Sequence, residues 1–100
     1  MKLKVTVTQE DIDKGCRSSQ TACPVARAIR ALFKGDMRIS VSTQSFFIEP
    51  RGKEKMDWHF LPPHVTRWII HFDTYDHAKQ QPKPFSFTLN IPDVLKEYLR

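Results

Sequence analysis

Only three glycines and two cysteines occur in these 100 residues, and each scarcity excludes something. Cys16 and Cys23 stand seven apart, which is neither the C-x-x-C redox spacing nor part of a four-ligand zinc set. His59, His64, His71 and His77, with Asp73 and Asp76, form no tight recurring ligand pair, so no metal is expected. The glycine-rich G-x-x-x-x-G-K-[ST] phosphate loop, the G-x-S-x-G nucleophile elbow and the RRM signature are all missing. Nothing places a nucleophile at activating spacing from a base, so no catalytic residue and no cofactor is assigned. No apolar run approaches the roughly 20 residues of a membrane span, and the opening MKLKVTVTQED lacks the apolar stretch of a secretory signal. The expectation is a cytoplasmic protein with no membrane contact and with reduced thiols.

What is present has ordinary globular proportions: 40% hydrophobic and 27% charged residues, which argues against disorder. One hundred residues make a single domain, residues 1–100, able to bury roughly 60–70% of its unfolded surface without a disulfide or metal. Sixteen Lys and Arg against eleven Asp and Glu leave a net charge of +5. That balance favours encounter with anions: a small charged ligand, nucleic acid or an acidic protein surface. No run of five like charges concentrates it.

Periodicity orders the elements. Leu3, Val5 and Val7 alternate with Lys2, Lys4 and Thr6, a half-buried strand. Thr8 and Asp11 fit the start of a short helix over 9–14, and Gly15 suits a left-handed position at its end. After a polar loop, 16–23, Pro24 opens a helix whose apolar stripe is Val25, Ile29, Leu32 and Phe33, ended by Gly35. Runs 37–42 and 45–49 around Thr43 and Gln44 read as a hairpin, and 55–61 as a further strand. Pro62 and Pro63 start a helix with Val65, Trp68, Ile69 and Phe72 on one stripe. Phe85, Phe87, Leu89 and Ile91 give the cleanest alternation, and a short helix follows Pro92. This mixture predicts an α+β fold: a mainly antiparallel sheet of about four to five strands with two amphipathic helices packed on one face.

The helix opening at Pro24 is the leading site candidate. Its N-terminal N–H groups and dipole favour a phosphate or carboxylate. Arg17, Arg27 and Arg30 can add bidentate contacts, and Ser18, Ser19 and Thr21 hydroxyl donors or helix caps. Adjacent Phe46 and Phe47 must face opposite sides of a strand, so one of them is exposed or covered at an interface, which points to a homo-oligomer.

The pattern T-x-E-D-I-x-x-G at 8–15, C-P-V-A-x-A at 23–28, L-P-P-x-V at 61–65, F-D at 72–73 and P-F-S-F-x-L at 84–89 resembles a family of small uncharacterised proteins encoded by phages and prophages. The chain departs from that pattern in a longer segment 50–60 and an added IPDVLKEYLR tail. The resemblance carries no catalytic residue. It implies an accessory protein in the cytoplasm of a bacterial host cell, one that blocks a host component or sequesters a host signal. Joined to the cationic helix start, the expectation is a non-enzymatic binder that sequesters a small anionic, nucleotide-like host signal and so antagonises defence. The second version is a basic surface with exposed aromatics that blocks a host protein or nucleic acid.

Overall fold

The computed structural model describes residues 1–52, 58–76 and 81–100. Its elements follow the expected order: β1 (Lys2–Val7), α1 (Gln9–Lys14), α2 (Pro24–Arg30), β2 (Met37–Val41), β3 (Ser45–Pro50), β4 (His59–Phe60), α3 (Pro63–Thr74), β5 (Phe85–Asn90) and a 3-10 helix, Asp93–Tyr98. The class is α+β, and all strand pairing among the described residues is antiparallel. The five strands among the described residues divide into two sheets, β1-β5 and β2-β3-β4. Of the strand expected at 55–61, residues 55–57 lie outside the described residues.

Local chemistry accounts for the element ends. The Thr8 hydroxyl accepts from Asp11 N–H, while the Asp11 carboxylate accepts from Thr8 N–H, a closed capping box. Gly15 departs from expectation, with an extended backbone (φ −72°, ψ 153°) instead of a left-handed one. Glycine is needed there for space, because a Cβ would sit 2.7 Å from both the Asp11 carbonyl oxygen and the Pro24 ring. Gly35 does take the left-handed conformation, at φ +79°.

One core joins the two sheets. Val5, Val7, Phe87 and Leu89 share the buried side of β1-β5, with Val5 opposite Phe87. Ile39, Val41, Phe46 and Ile48 supply the buried side of the other sheet. Helix α2 packs on both β1 and β2, and α1 on α2. Full burial of Ile29 alone contributes about 1.5–3 kcal/mol. Val65, Ile69 and Phe72 turn α3 inward. Trp68, half-buried, stacks on Phe72 and Phe85 at 5.6 and 4.8 Å and donates its indole N–H to the Lys83 carbonyl.

The phenylalanine pair corrects an expectation. Phe46 and Phe47 do face opposite ways, yet both are buried. Phe47 is covered edge-on by Trp58 at 4.8 Å and flanked by the Arg38 guanidinium at 5.9 Å. An aromatic and a guanidinium from the chain itself cover the ring for which an interface is expected.

The C-terminal residues are laid along the end of α2. Lys34 N–H donates to Tyr98, Arg100 N–H donates to Leu32, and Phe33 bridges Leu99. These bonds set Arg100 beside Arg27 and Arg30.

Candidate functional site

The polar loop 16–23 is tied down from several directions. Its Ser19 hydroxyl accepts from Ala22 N–H, and Ser18 N–H donates to the Asp73 carboxylate at 2.9 Å. Gln20 is bound twice to β2: its carbonyl accepts from Val41 N–H at 2.7 Å, and its side-chain oxygen accepts from the Ser40 hydroxyl at 3.1 Å. The Thr21 carbonyl accepts from Arg30 Nη2 at 2.8 Å.

The first turn of α2 is enclosed. Pro24, Val25 and Ala26 are buried, and Cys23 Sγ accepts from Ala26 N–H at 3.4 Å. Burial pushes the Cys23 thiol up from its ordinary pKa, and the nearby Asp73 carboxylate adds to the shift. Both cysteines are free, Cys16 exposed and Cys23 buried. The charge that Ser18 meets beside this loop is the chain's own Asp73 carboxylate.

The six residues singled out around this helix start therefore separate. Arg17 lies over the Tyr75 ring, 4.1 Å from its centre. Its hydrogen bond to the phenol, with its charge as a lesser contribution, holds the Tyr75 pKa below the ordinary value. Arg27 clasps α1 through Asp11 at 3.5 Å, with its Nε buried and without a hydrogen-bond partner. Ser18 and Ser19 line a small cavity with Cys23 and Asp73. Arg27 and Arg30 come together on one larger cleft, and Thr21 and Arg30 on another.

That cleft, about 510 Å³, runs beside β2. Gln20, Thr21 and Arg30 line it together with residues 35–40, Phe47 and Arg51. Of the three arginines among its described lining residues, two are internally paired: Arg38 with the buried Glu49 at 2.7 Å, and Arg51 with Asp36 at 2.5 Å. Arg30 differs. Its one hydrogen bond is to a carbonyl, and among the described residues no carboxylate lies within ion-pair distance of it. A guanidinium has five N–H donors, so most of this one's capacity is unspent. Arg30 also borders a second cleft of about 460 Å³, where Arg27 and Arg100 join it beside Thr6, Thr8, Glu10 and Asp11. Cations on a concave surface attract anions more strongly than the same charges on a flat one.

Arg38, Arg51, Arg100, Gln20 and Ser40 are not among the residues that the sequence marks as a site. A hairpin turning at Thr43 and Gln44 implies the cross-strand pair Arg38 and Glu49, which the register contains. No spacing signals that Arg30 would join Arg38 on one cleft, or that Arg100 would join Arg27 and Arg30 on the other.

Among the described residues, no three His, Cys, Asp or Glu side chains gather as a metal site, and His77 lies outside those residues. No described helix is long and apolar enough to cross a membrane. Comparison with known family models, curated proteins and solved structures finds no match.

Proposed function

We propose that this chain is a non-enzymatic binding protein that captures a small multiply charged anion, nucleotide-like in chemistry, in the cleft beside β2. The observation that carries this reading is Arg30, a guanidinium held on the Thr21 carbonyl with no carboxylate partner among the described residues. Thr21, Gln20 and Ser40 bring further polar groups to the same cleft, and Phe47 an aromatic ring. In the setting that the family resemblance implies, a phage or prophage accessory protein, the anion is a host signal and its capture blunts host defence.

Calorimetric titration with adenosine diphosphate and with inorganic pyrophosphate tests this. Arg30→Ala should weaken binding by about 1.5–3 kcal/mol, the worth of a hydrogen bond to a charged group. Arg17→Ala, whose guanidinium is engaged with Tyr75, should leave it unchanged. Equal affinities for wild type and Arg30→Ala would refute the assignment, and conversion of the nucleotide during incubation would refute the non-enzymatic part. Binding that strengthens on longer nucleic acids and falls steeply with salt would transfer the cleft to the second version of the function.

A further inference from the structure

Strand β2 is an edge of its sheet, and the direction of its backbone groups can be worked out. Val41 N–H leaves the sheet to reach Gln20, whereas Arg51 N–H and Ser42 N–H bond within the β2-β3 hairpin, to Asp36 and Ser45. N–H and C=O of one antiparallel residue point the same way, and neighbours alternate. Arg38 and Ser40 therefore bond to β3, while Met37 and Ile39 direct N–H and C=O outward, into the cleft lined by Arg30. Gln20 supplies the first rung of an outer ladder at Val41, and among the described residues no backbone group continues it.

Charge selects what would continue it. Among the described residues, three arginines and one aspartate line the cleft, and buried Glu49 pairs with one of those arginines. The surplus is one positive charge, at Arg30, beside the open edge. We infer that this cleft takes an extended peptide segment of a partner protein, added as an outer strand to β2 with an acidic side chain on Arg30. Main-chain bonds to Met37 and Ile39 hold such a segment, and the carboxylate selects it. The inference rests on the reading of Arg30 as the anion-binding group of this cleft, and puts a carboxylate carried by a partner's peptide where that reading puts a small anion.

The experiment uses the whole chain and a labelled peptide of alternating β-branched residues around one glutamate, Thr-Val-Glu-Val-Thr. Fluorescence anisotropy gives the affinity, and amide hydrogen exchange by NMR reports the edge. Expected are slowed exchange at Met37 and Ile39 and no change at Arg38 and Ser40. Glutamine in place of the peptide's glutamate should weaken binding about tenfold or more, as loss of a charge-assisted bond does. N-methylation of the peptide backbone on the bonding side should abolish it. Arg30→Ala is the chosen protein variant, because Arg38→Ala would strip a partner from buried Glu49 and endanger the fold.

The outcomes separate. If the N-methylated peptide binds as well as the parent, strand addition is overturned while anion capture stands. Strand addition also falls, and anion capture again survives, if pyrophosphate binds and the peptide does not. If neither binds, both readings fall. If Met37 and Ile39 are already protected in a dimer seen by sedimentation, the edge belongs to a second copy of the chain and the peptide is overturned.

Discussion

Gly15→Ala sets two physical effects against each other. The residue lies at φ −72°, ψ 153°, a conformation alanine adopts freely. On backbone entropy alone the change should stabilise the protein by about 0.4–1 kcal/mol. Space decides otherwise. The new Cβ would lie 2.7 Å from the Asp11 carbonyl oxygen and equally close to two ring carbons of Pro24. Neither neighbour can swing aside: that oxygen already accepts Gly15 N–H at 2.8 Å, and Pro24 is fully buried in the first turn of α2. Relief requires α1 and α2 to move apart, at the typical overpacking cost of about 1–3 kcal/mol. Taken from the middle of the two ranges, the expected net result is a loss of about 1.3 kcal/mol. Urea unfolding followed by tryptophan fluorescence measures it, and each kcal/mol should lower Tm by about 4–8 °C. Gly35 gives the control. It is left-handed with nothing within 4 Å of a built Cβ, so there asparagine should be tolerated better than alanine. At Gly15 the larger residue should be worse. A Gly15→Ala protein as stable as wild type would refute the steric reasoning.

The cysteines and Tyr75 offer two further tests. Exposed Cys16 should react with a thiol reagent within the mixing time, and buried Cys23 only as the protein unfolds; two equally fast thiols would contradict this placement. The Tyr75 phenol, bonded to Arg17, should ionise below the ordinary tyrosine value, and Arg17→Ala should raise it again in an ultraviolet pH titration. Because the folded-state pKa is lowered, the stabilising contribution is present above the ordinary phenol pKa and is lost as pH falls through the lowered one. Arg17→Ala should consequently leave stability near pH 7 almost unchanged, and a Tyr75 titration that ignores the variant would sink the pairing.

Features fixed within a few residues are legible in the sequence. The Thr8 and Asp11 capping box needs only its own helix turn, and the β2-β3 register follows from a two-residue connection. The stripe Val65, Ile69 and Phe72 needs only the helical period. Partition of five strands into two sheets is not legible, since alternation states that a strand has a buried face and not which strand lies beside it. Gly15 departs from expectation for the same reason. A left-handed need can be read from a helix end, whereas the approach of the Pro24 ring is a contact between helices. Phe46 and Phe47 show the limit on a strand. Their opposite faces follow from the pleat, but the covering of the second face by Trp58 and Arg38 depends on the chain beyond β3 and on the hairpin register.

The candidate site is not legible because a guanidinium acts far from its own Cα. Arg17, Arg27 and Arg30 are close in sequence, yet they end over Tyr75, against Asp11 and on the Thr21 carbonyl. Helix periodicity places Arg27 and Arg30 on one face and says nothing about what waits at the end of each side chain. Two of the three meet an acceptor that withdraws much of their capacity: a carboxylate for Arg27, an aromatic ring and its hydroxyl for Arg17. Arg30 meets a neutral carbonyl in a loop that Gln20 ties to β2. Among the described residues Arg30 has no counter-charge; such a charge costs little where water reaches it, and a partner's carboxylate or phosphate can pair it without first breaking an internal ion pair. That difference in what must be given up, more than the number of arginines, is why the β2 cleft and not the helix start is the place to expect an anion.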